Sequence, residues 1–316
     1  MSNDEQDDAP ELTESAAQAI DRGLRYLVGS QNPDGSWSRG EQFKVADTSL
    51  ALMAFMVKAQ FAGEGPHRAT LDRGMEYLLV EAKASPDGYL GTSMYDHGLA
   101  TLALSEVWGM TSKERDDDVH KALKRAVEVI RRSQNLQGGW RYDPRPTDAD
   151  LSVTVTQIVA LASARQAGII VPDETIDKAI AYVNSCWHAN SGGFTYQGRG
   201  APAFPRSAGA VYALQLCGRR DSDQVTSGLR YLKQQPAELF DGGPHYYYGH
   251  YYGIQAMVQA SEQHYKDWYP RIRDAMLKRQ RPDGSWTGGK GGEAQSTAMA
   301  VIILGTPYRF IPVYQR

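Results

Sequence analysis

Cysteine is scarce in this chain, which has only Cys186 and Cys217. Two are too few for a disulfide framework or a cysteine-rich zinc site, and both read as small buried hydrophobes. Long apolar runs are missing as well: no stretch reaches the ~18 residues that a membrane-spanning helix needs. Positive charge is not in excess either. Lys and Arg number 34 against 37 Asp and Glu, for a net charge of −3. That excludes the basic field with which a protein holds nucleic acid and the polybasic run that would hold an anionic membrane. Residues 1–10 are acidic and polar, without the apolar segment of a signal peptide. The expectation is a soluble chain, cytoplasmic as it stands and secreted or periplasmic if a leader was removed.

What is present is a repeat. Gln31-Asn-Pro-Asp-Gly-Ser-Trp37 returns as Gln134-Asn-Leu-Gln-Gly-Gly-Trp140 and as Gln280-Arg-Pro-Asp-Gly-Ser-Trp286. Weaker copies contain Gly88, Gly192 and Gly242, so that six glycines fall 42 to 54 residues apart. Units of this length fit a helix pair with generous loops. An amphipathic helix precedes each turn, as in Ile20, Leu24 and Leu27 at i, i+4 and i+7; similar helices are expected near 68–81, 119–133, 173–185, 222–234 and 269–280. A second helix, apolar nearly all round, follows each turn. Examples are Leu50–Val57, Leu99–Leu104 and Ala298–Leu304. A helix apolar on every face is buried on every face.

These two helix types predict an all-α (α/α)6 barrel, with six amphipathic helices outside and six apolar ones inside. An open solenoid needs end units with a polar outer face. Neither Met53, Phe55 and Met56 in the first unit nor Val301–Leu304 in the last supplies one, so the ring is expected to close. Residues 1–14 form a polar tail and 15–316 one toroid domain. The Pro-Asp-Gly element makes a tight turn, the Trp anchors it, and the Gln amide can reach backbone of the neighbouring unit.

The repeated Gln-x3-Gly-x-Trp resembles the QW motif of squalene and hopene cyclases and, more loosely, of protein prenyltransferase β subunits, over residues 15 to 310. The resemblance implies the α/α toroid with a central, often apolar cavity. Such cyclases carry Asp-x-Asp-Asp-Thr at the start of an inner helix, shortly after Gly-Gly-Trp. Here Gly138-Gly-Trp140 is followed by Asp148-Ala-Asp-Leu-Ser152. Aligned on the first Asp, the match puts Asp150 at the family's proton-donor position, with Leu151 where the last Asp would be. Aligned on the helix end, it puts Ser152 there. The Asp-x-Cys of zinc-dependent prenyltransferases and the thioester sequence of complement-type toroids are absent, so no metal or cofactor is implied.

The starts of the inner helices face the opening of such a barrel. There the chain offers Asp47, Asp96 with His97, Asp148 with Asp150, Arg206, His250 and Gln295. Asp47, with Thr48 and Ser49, fits a helix cap, and Arg206 an ion pair with a nearby Asp. Five tyrosines and two histidines crowd His245–Tyr252. Rings there stabilise a cation, stack on sugars or pack two walls together. A metal held by His245 and His250 lacks a third ligand. The expected catalytic set is Asp150 as general acid, raised by burial and Asp148, with His97 or His250 setting its proton. The expected substrate-binding set is Asp47, Tyr95, Asp96, Arg206, Tyr248, Tyr251 and Gln295, with Trp108 beside the tyrosines. Three functions remain open. The first is a terpene-cyclase-like or prenyl-handling protein with a small apolar ligand. The others are a carbohydrate-active barrel, either lyase or hydrolase, and a binding module without chemistry.

Overall fold

The computed structural model describes residues 12–314, apart from 39, 41, 237, 238, 241, 244 and 290. Most of the acidic tail therefore lies outside the described residues. Twelve α-helices follow one another among them: α1 (Glu14–Gly29), α2 (Lys44–Met56), α3 (Arg68–Ala84), α4 (Met94–Val107), α5 (Lys113–Arg132), α6 (Leu151–Gln166), α7 (Asp173–Ser185), α8 (Phe204–Leu216), α9 (Asp223–Lys233), α10 (Tyr246–Ala260), α11 (Glu262–Arg279) and α12 (Gly292–Leu304). The even-numbered helices form the inner ring. Each touches the next, and α12 touches α2. The odd-numbered helices pack outside them. α5 and α11 begin about six residues earlier than periodicity alone predicts, at hydroxyl caps. Ser112 accepts from the Arg115 amide and Ser261 from the His264 amide. The first turns of both helices are polar and carry no apolar period.

One device joins the units. In the three full repeats the Trp indole is buried and donates to a carbonyl of its own outer helix: Trp37 to Leu27 at 2.7 Å, Trp140 to Ile130 at 2.7 Å and Trp286 to Met276 at 2.8 Å. The Trp backbone N–H donates to a threonine of the following inner helix, Thr48, Thr154 or Thr297. The Gln amide crosses to the next unit. Gln31 donates to the Thr70 carbonyl and Gln134 to the Thr175 carbonyl, both at 2.9 Å. Gln280 donates at 2.8 Å to Ala19, in the first helix of the chain. The sixth turn therefore grips α1 as the first grips α3, and that bond closes the ring. Glycine is required at these turns for two reasons. Gly284 has φ +89, and a Cβ there would collide with the Arg22 carbonyl of α1.

The inner helices start at one end of the barrel, the mouth. The other end is plugged by the chain after α12. Ile311 and Val313 are buried, Tyr212 donates to the Val313 carbonyl at 2.8 Å, and the Val313 N–H points to Glu106 at 3.4 Å. Glu106, which also accepts from Ser163, is buried, and burial pushes its carboxyl up to about 7. Of the two cysteines, Cys186 is buried as expected and Cys217 only partly so. No helix of the described residues is long and apolar enough to cross a membrane.

Candidate functional site

A cavity of about 220 Å³ opens at the mouth. Its walls come from α4 (Tyr95, Leu99), α10 (Tyr247, Tyr248, Tyr251, Tyr252) and α12 (Gln295, Met299), with Ala46 of α2, Thr156 of α6 and the loop residues Phe43, Tyr142 and His245. It adjoins a second chamber of about 670 Å³, which shares Tyr95, Tyr142, His245 and Tyr248 and adds Tyr196, Phe204, Arg206 and Tyr231. The two chambers lie side by side across these four shared side chains and together make the mouth passage. At one end stand Gln295, Phe43 and Ala46, from the last and first units. At the other stands Arg206, from the fourth. Burial lifts the Tyr95 and Tyr248 phenols well above the ordinary phenol range, so these rings face the cavity neutral.

Five of the expected site residues meet in this passage: Tyr95, Tyr248, Tyr251, Gln295 and Arg206. Arg206 departs from its expected ion pair. Among the described residues no carboxylate pairs with it. Its guanidinium lies 5.7 Å from the Tyr196 ring centre, Nη2 donates to the Ala201 carbonyl at 3.0 Å, and Nε has no partner among the described residues.

The ionisable residues at the other helix starts sit differently from expectation. Asp96 does not face the ligand space. Oδ2 accepts from the N–H and hydroxyl of both Thr92 and Ser93, and Oδ1 from the Ala46 N–H at 3.0 Å. The carboxylate is consumed in bracing α4 against α2. His97 is consumed too. Nδ1 accepts from the Leu90 N–H at 3.0 Å and Nε2 bonds the Ala126 carbonyl at 2.9 Å. Leu90 stands where the full repeats have Trp, and His97 takes the role of Thr48, Thr154 and Thr297. Burial pushes its imidazole down to about 4, so it stays neutral. His250 is fully buried behind α10, ringed by Phe204, Phe240 and Tyr246, with Nε2 3.2 Å from the Leu239 carbonyl. Its imidazole is likewise pushed down to about 4. Neither histidine reaches Asp150. Trp108 ends α4 at the plugged end, against His120 at 4.8 Å, away from the tyrosines.

Asp148 is exposed and paired with Arg141 at 3.1 Å. Asp150 is buried and caps α6, Oδ1 accepting from the Val153 N–H at 2.9 Å. Oδ2 has no hydrogen-bond partner among the described residues, and the Arg141 Nε stands 3.8 Å away. Burial raises the Asp150 carboxyl, the Val153 bond, Arg141 and Tyr196 partly offset this, and Asp148 is not among the causes.

Asp47 is not the cap that its neighbours suggest. α2 is entered through Phe43 in the left-handed region, φ 64, which puts Asp47 one turn inside the helix and fully buried. Oδ1 accepts from Gln295 at 2.9 Å, and Oδ2 is without a hydrogen-bond partner among the described residues. Burial pushes the carboxyl up to about 8. Asp96 adds to that rise, and the Gln295 bond and the nearby Ser38 hydroxyl, beyond hydrogen-bond distance, moderate it. No cation is among the causes of that shift among the described residues. Sequence reasoning also missed Tyr142, Tyr196 and Arg141. They lie in loops, and the one available signal was that Arg141 and Tyr142 leave the Gly-Gly-Trp turn directly toward the mouth.

Closed rings of six helix pairs with an opening at the inner-helix starts are known from solved proteins. The fold is that of the type II terpene cyclases and the GH76 mannanases. The apo type II terpene cyclase MstE from Scytonema superposes with a TM-score of 0.62 at 13% identity, over 95% of this chain and all of that one. The GH76A α-1,6-mannanase of Salegentibacter sp. HEL1_6, in complex with α-1,6-mannotetrose, gives 0.71 at 8% identity, over 94% and 100%. Sequence similarity is to drimenyl diphosphate synthases. That of Streptomyces showdoensis is 28% identical over 196 residues, 60% of this chain and 34% of the relative. That of Streptantibioticus cattleyicolor is 26% identical over 152 residues, 46% and 27%. The chain thus spans about a third or less of the length of the curated relatives it matches. No family model matches it.

Proposed function

We propose that this protein binds an isoprenoid chain with an anionic head in the mouth passage and cyclises it by protonation of an alkene. The observation that carries the reading is the passage itself, an apolar, tyrosine-walled cavity beside a chamber with a guanidinium, Arg206, that pairs with no carboxylate among the described residues. Neutral phenol rings offer a cation their negative faces without offering a nucleophilic anion, at about 0.5–2 kcal/mol per ring. A buried carboxylic acid beside the passage supplies the proton. The similarity to drimenyl diphosphate synthases supports this reading.

The test is calorimetric binding of an all-trans C15 prenyl diphosphate to the wild type and to Arg206→Met, which keeps the apolar stem and removes the charge. Loss of a desolvated charge-assisted contact of about 1.5–3 kcal/mol corresponds to a ten- to hundredfold weaker complex. Equal affinity in the variant, or binding of α-1,6-mannotetraose in place of the prenyl chain, contradicts the reading.

A further inference from the structure

Asp47 has no part in the motif match and lines neither chamber, yet its buried carboxyl lies behind the wall at the end of the passage opposite Arg206. Its helix neighbour Ala46, its entry residue Phe43 and its hydrogen-bond partner Gln295 all line the cavity. One oxygen is buried without a partner among the described residues. Asp150, by contrast, lies at the Arg206 end, beside Arg141 and near Tyr196. A chain whose anionic head sits at Arg206 sends its tail toward the first and last units. Protonation of the terminal alkene therefore requires an acid at the tail.

We propose, on the isoprenoid reading above, that Asp47 is the catalytic acid that protonates the terminal alkene, with Gln295 as the side chain that the arriving tail displaces to reach it. The Asp47 Oδ2–H bond breaks and its electron pair stays on the carboxylate. The alkene π pair forms the new C–H bond, leaving a tertiary cation under the tyrosine rings. Downstream π pairs of the same chain close the rings, and the last cation gives a proton to water. The carboxylate regains a proton from solvent, so the net change is an isomerisation. The surroundings suit this role. Among the described residues the charged group acting on Asp47 is another carboxylate, Asp96, and burial holds its own carboxyl up to about 8, so it carries its proton at neutral pH. Asp150 is also raised by burial, but a guanidinium, Arg141, partly offsets that rise and no such cation is among the causes at Asp47.

The test uses the full chain and two probes, the C15 prenyl diphosphate and its analogue with a tertiary ammonium at the terminal alkene carbon, which mimics the first cation. Both are titrated calorimetrically into the wild type, Asp47→Asn and Asp150→Asn, with the aspartate carboxyls followed by ¹³C NMR. The expected result is tenfold or tighter binding of the ammonium analogue by the wild type, lost in Asp47→Asn and kept in Asp150→Asn. An aspartic acid protonated at pH 7 should be missing from the Asp47→Asn spectrum and should ionise when the ammonium analogue binds. A preference that survives Asp47→Asn overturns the proposal. A preference lost only in Asp150→Asn does the same while leaving the isoprenoid reading standing. A wild type without the preference also overturns it, and one that binds neither probe overturns the reading beneath it too. Should Asp47→Asn not fold, the wild-type spectrum decides: no aspartic acid protonated at pH 7 overturns the proposal.

Discussion

Asp47→Asn is expected to make the folded protein more stable at neutral pH, by about 4 kcal/mol. The sign follows from linkage. The carboxyl titrates near 8 in the folded chain and near 3.9 when unfolded. Below the unfolded value both states hold the proton and folding pays no penalty. As pH rises, the unfolded state releases its proton while the folded state must keep it, and stability falls until the pH passes the folded value. At pH 7 about three pKa units of that loss have accrued, at 1.36 kcal/mol each. Asparagine keeps the shape of the neutral acid and has nothing to lose. The Gln295 amide that now donates to Oδ1 can donate equally to the asparagine carbonyl. Urea unfolding at pH 4.5, 6, 7 and 8 checks this, with an advantage for the variant that grows with pH. An advantage that is constant across the range contradicts it. Glu106, held up to about 7, adds a pH-dependent loss of the same sign to both proteins and cancels in the comparison. A stability gain on removing the acid fits a site that keeps a costly buried group for chemistry.

Gly284→Ala should cost clearly more than a glycine-to-alanine change in an open turn, because it strikes the contact that closes the ring. Gly63 provides the control. It also has positive φ, 104, but a Cβ there meets nothing within 4 Å. Gly63→Ala should cost about 1–2 kcal/mol, the backbone penalty alone. Gly284→Ala pays that penalty and also forces its turn off the Arg22 carbonyl of α1, as overpacking does, for about 1–3 kcal/mol more. The same displacement stretches the Gln280 bonds to Ala19 and Arg22. Thermal unfolding of the two variants side by side measures the difference. Equal losses would mean that the sixth turn does not bear on α1 in solution.

The fold was legible because its information is local and repeated. The outer helices declare themselves by apolar period, the inner ones by lack of a polar face, and Gln280 and Trp286 repeat Gln31 and Trp37 so closely that the last unit had to be gripping something equivalent to α3. The site was legible in level but not in direction. Starting an inner helix puts a residue near the mouth, and one step along the helix turns it about 100° away from the cavity. Tyr95 thus lines the passage while Asp96 and His97, its neighbours, are bonded to backbone. His97 could be separated from a catalytic histidine only once Leu90 was seen in the place of a Trp. Asp47 read as a cap because Asp-Thr-Ser is a common cap composition; the left-handed turn at Phe43 that starts the helix one turn earlier has no signature in the residues. Arg206 read as half of an ion pair because no sequence shows which carboxylates are already engaged, as Asp148 is with Arg141.

The central claim is that one passage holds an isoprenoid chain, head at Arg206 and tail at Asp47. A crystal structure of the full chain with the C15 prenyl diphosphate tests it most directly. The expected result is the diphosphate beside Arg206, the chain between Tyr95, Tyr248 and Tyr251, and the terminal alkene carbon within contact of the Asp47 carboxyl, with Gln295 turned aside. A diphosphate at the Gln295 end, or a prenyl chain bound outside the barrel, would contradict it.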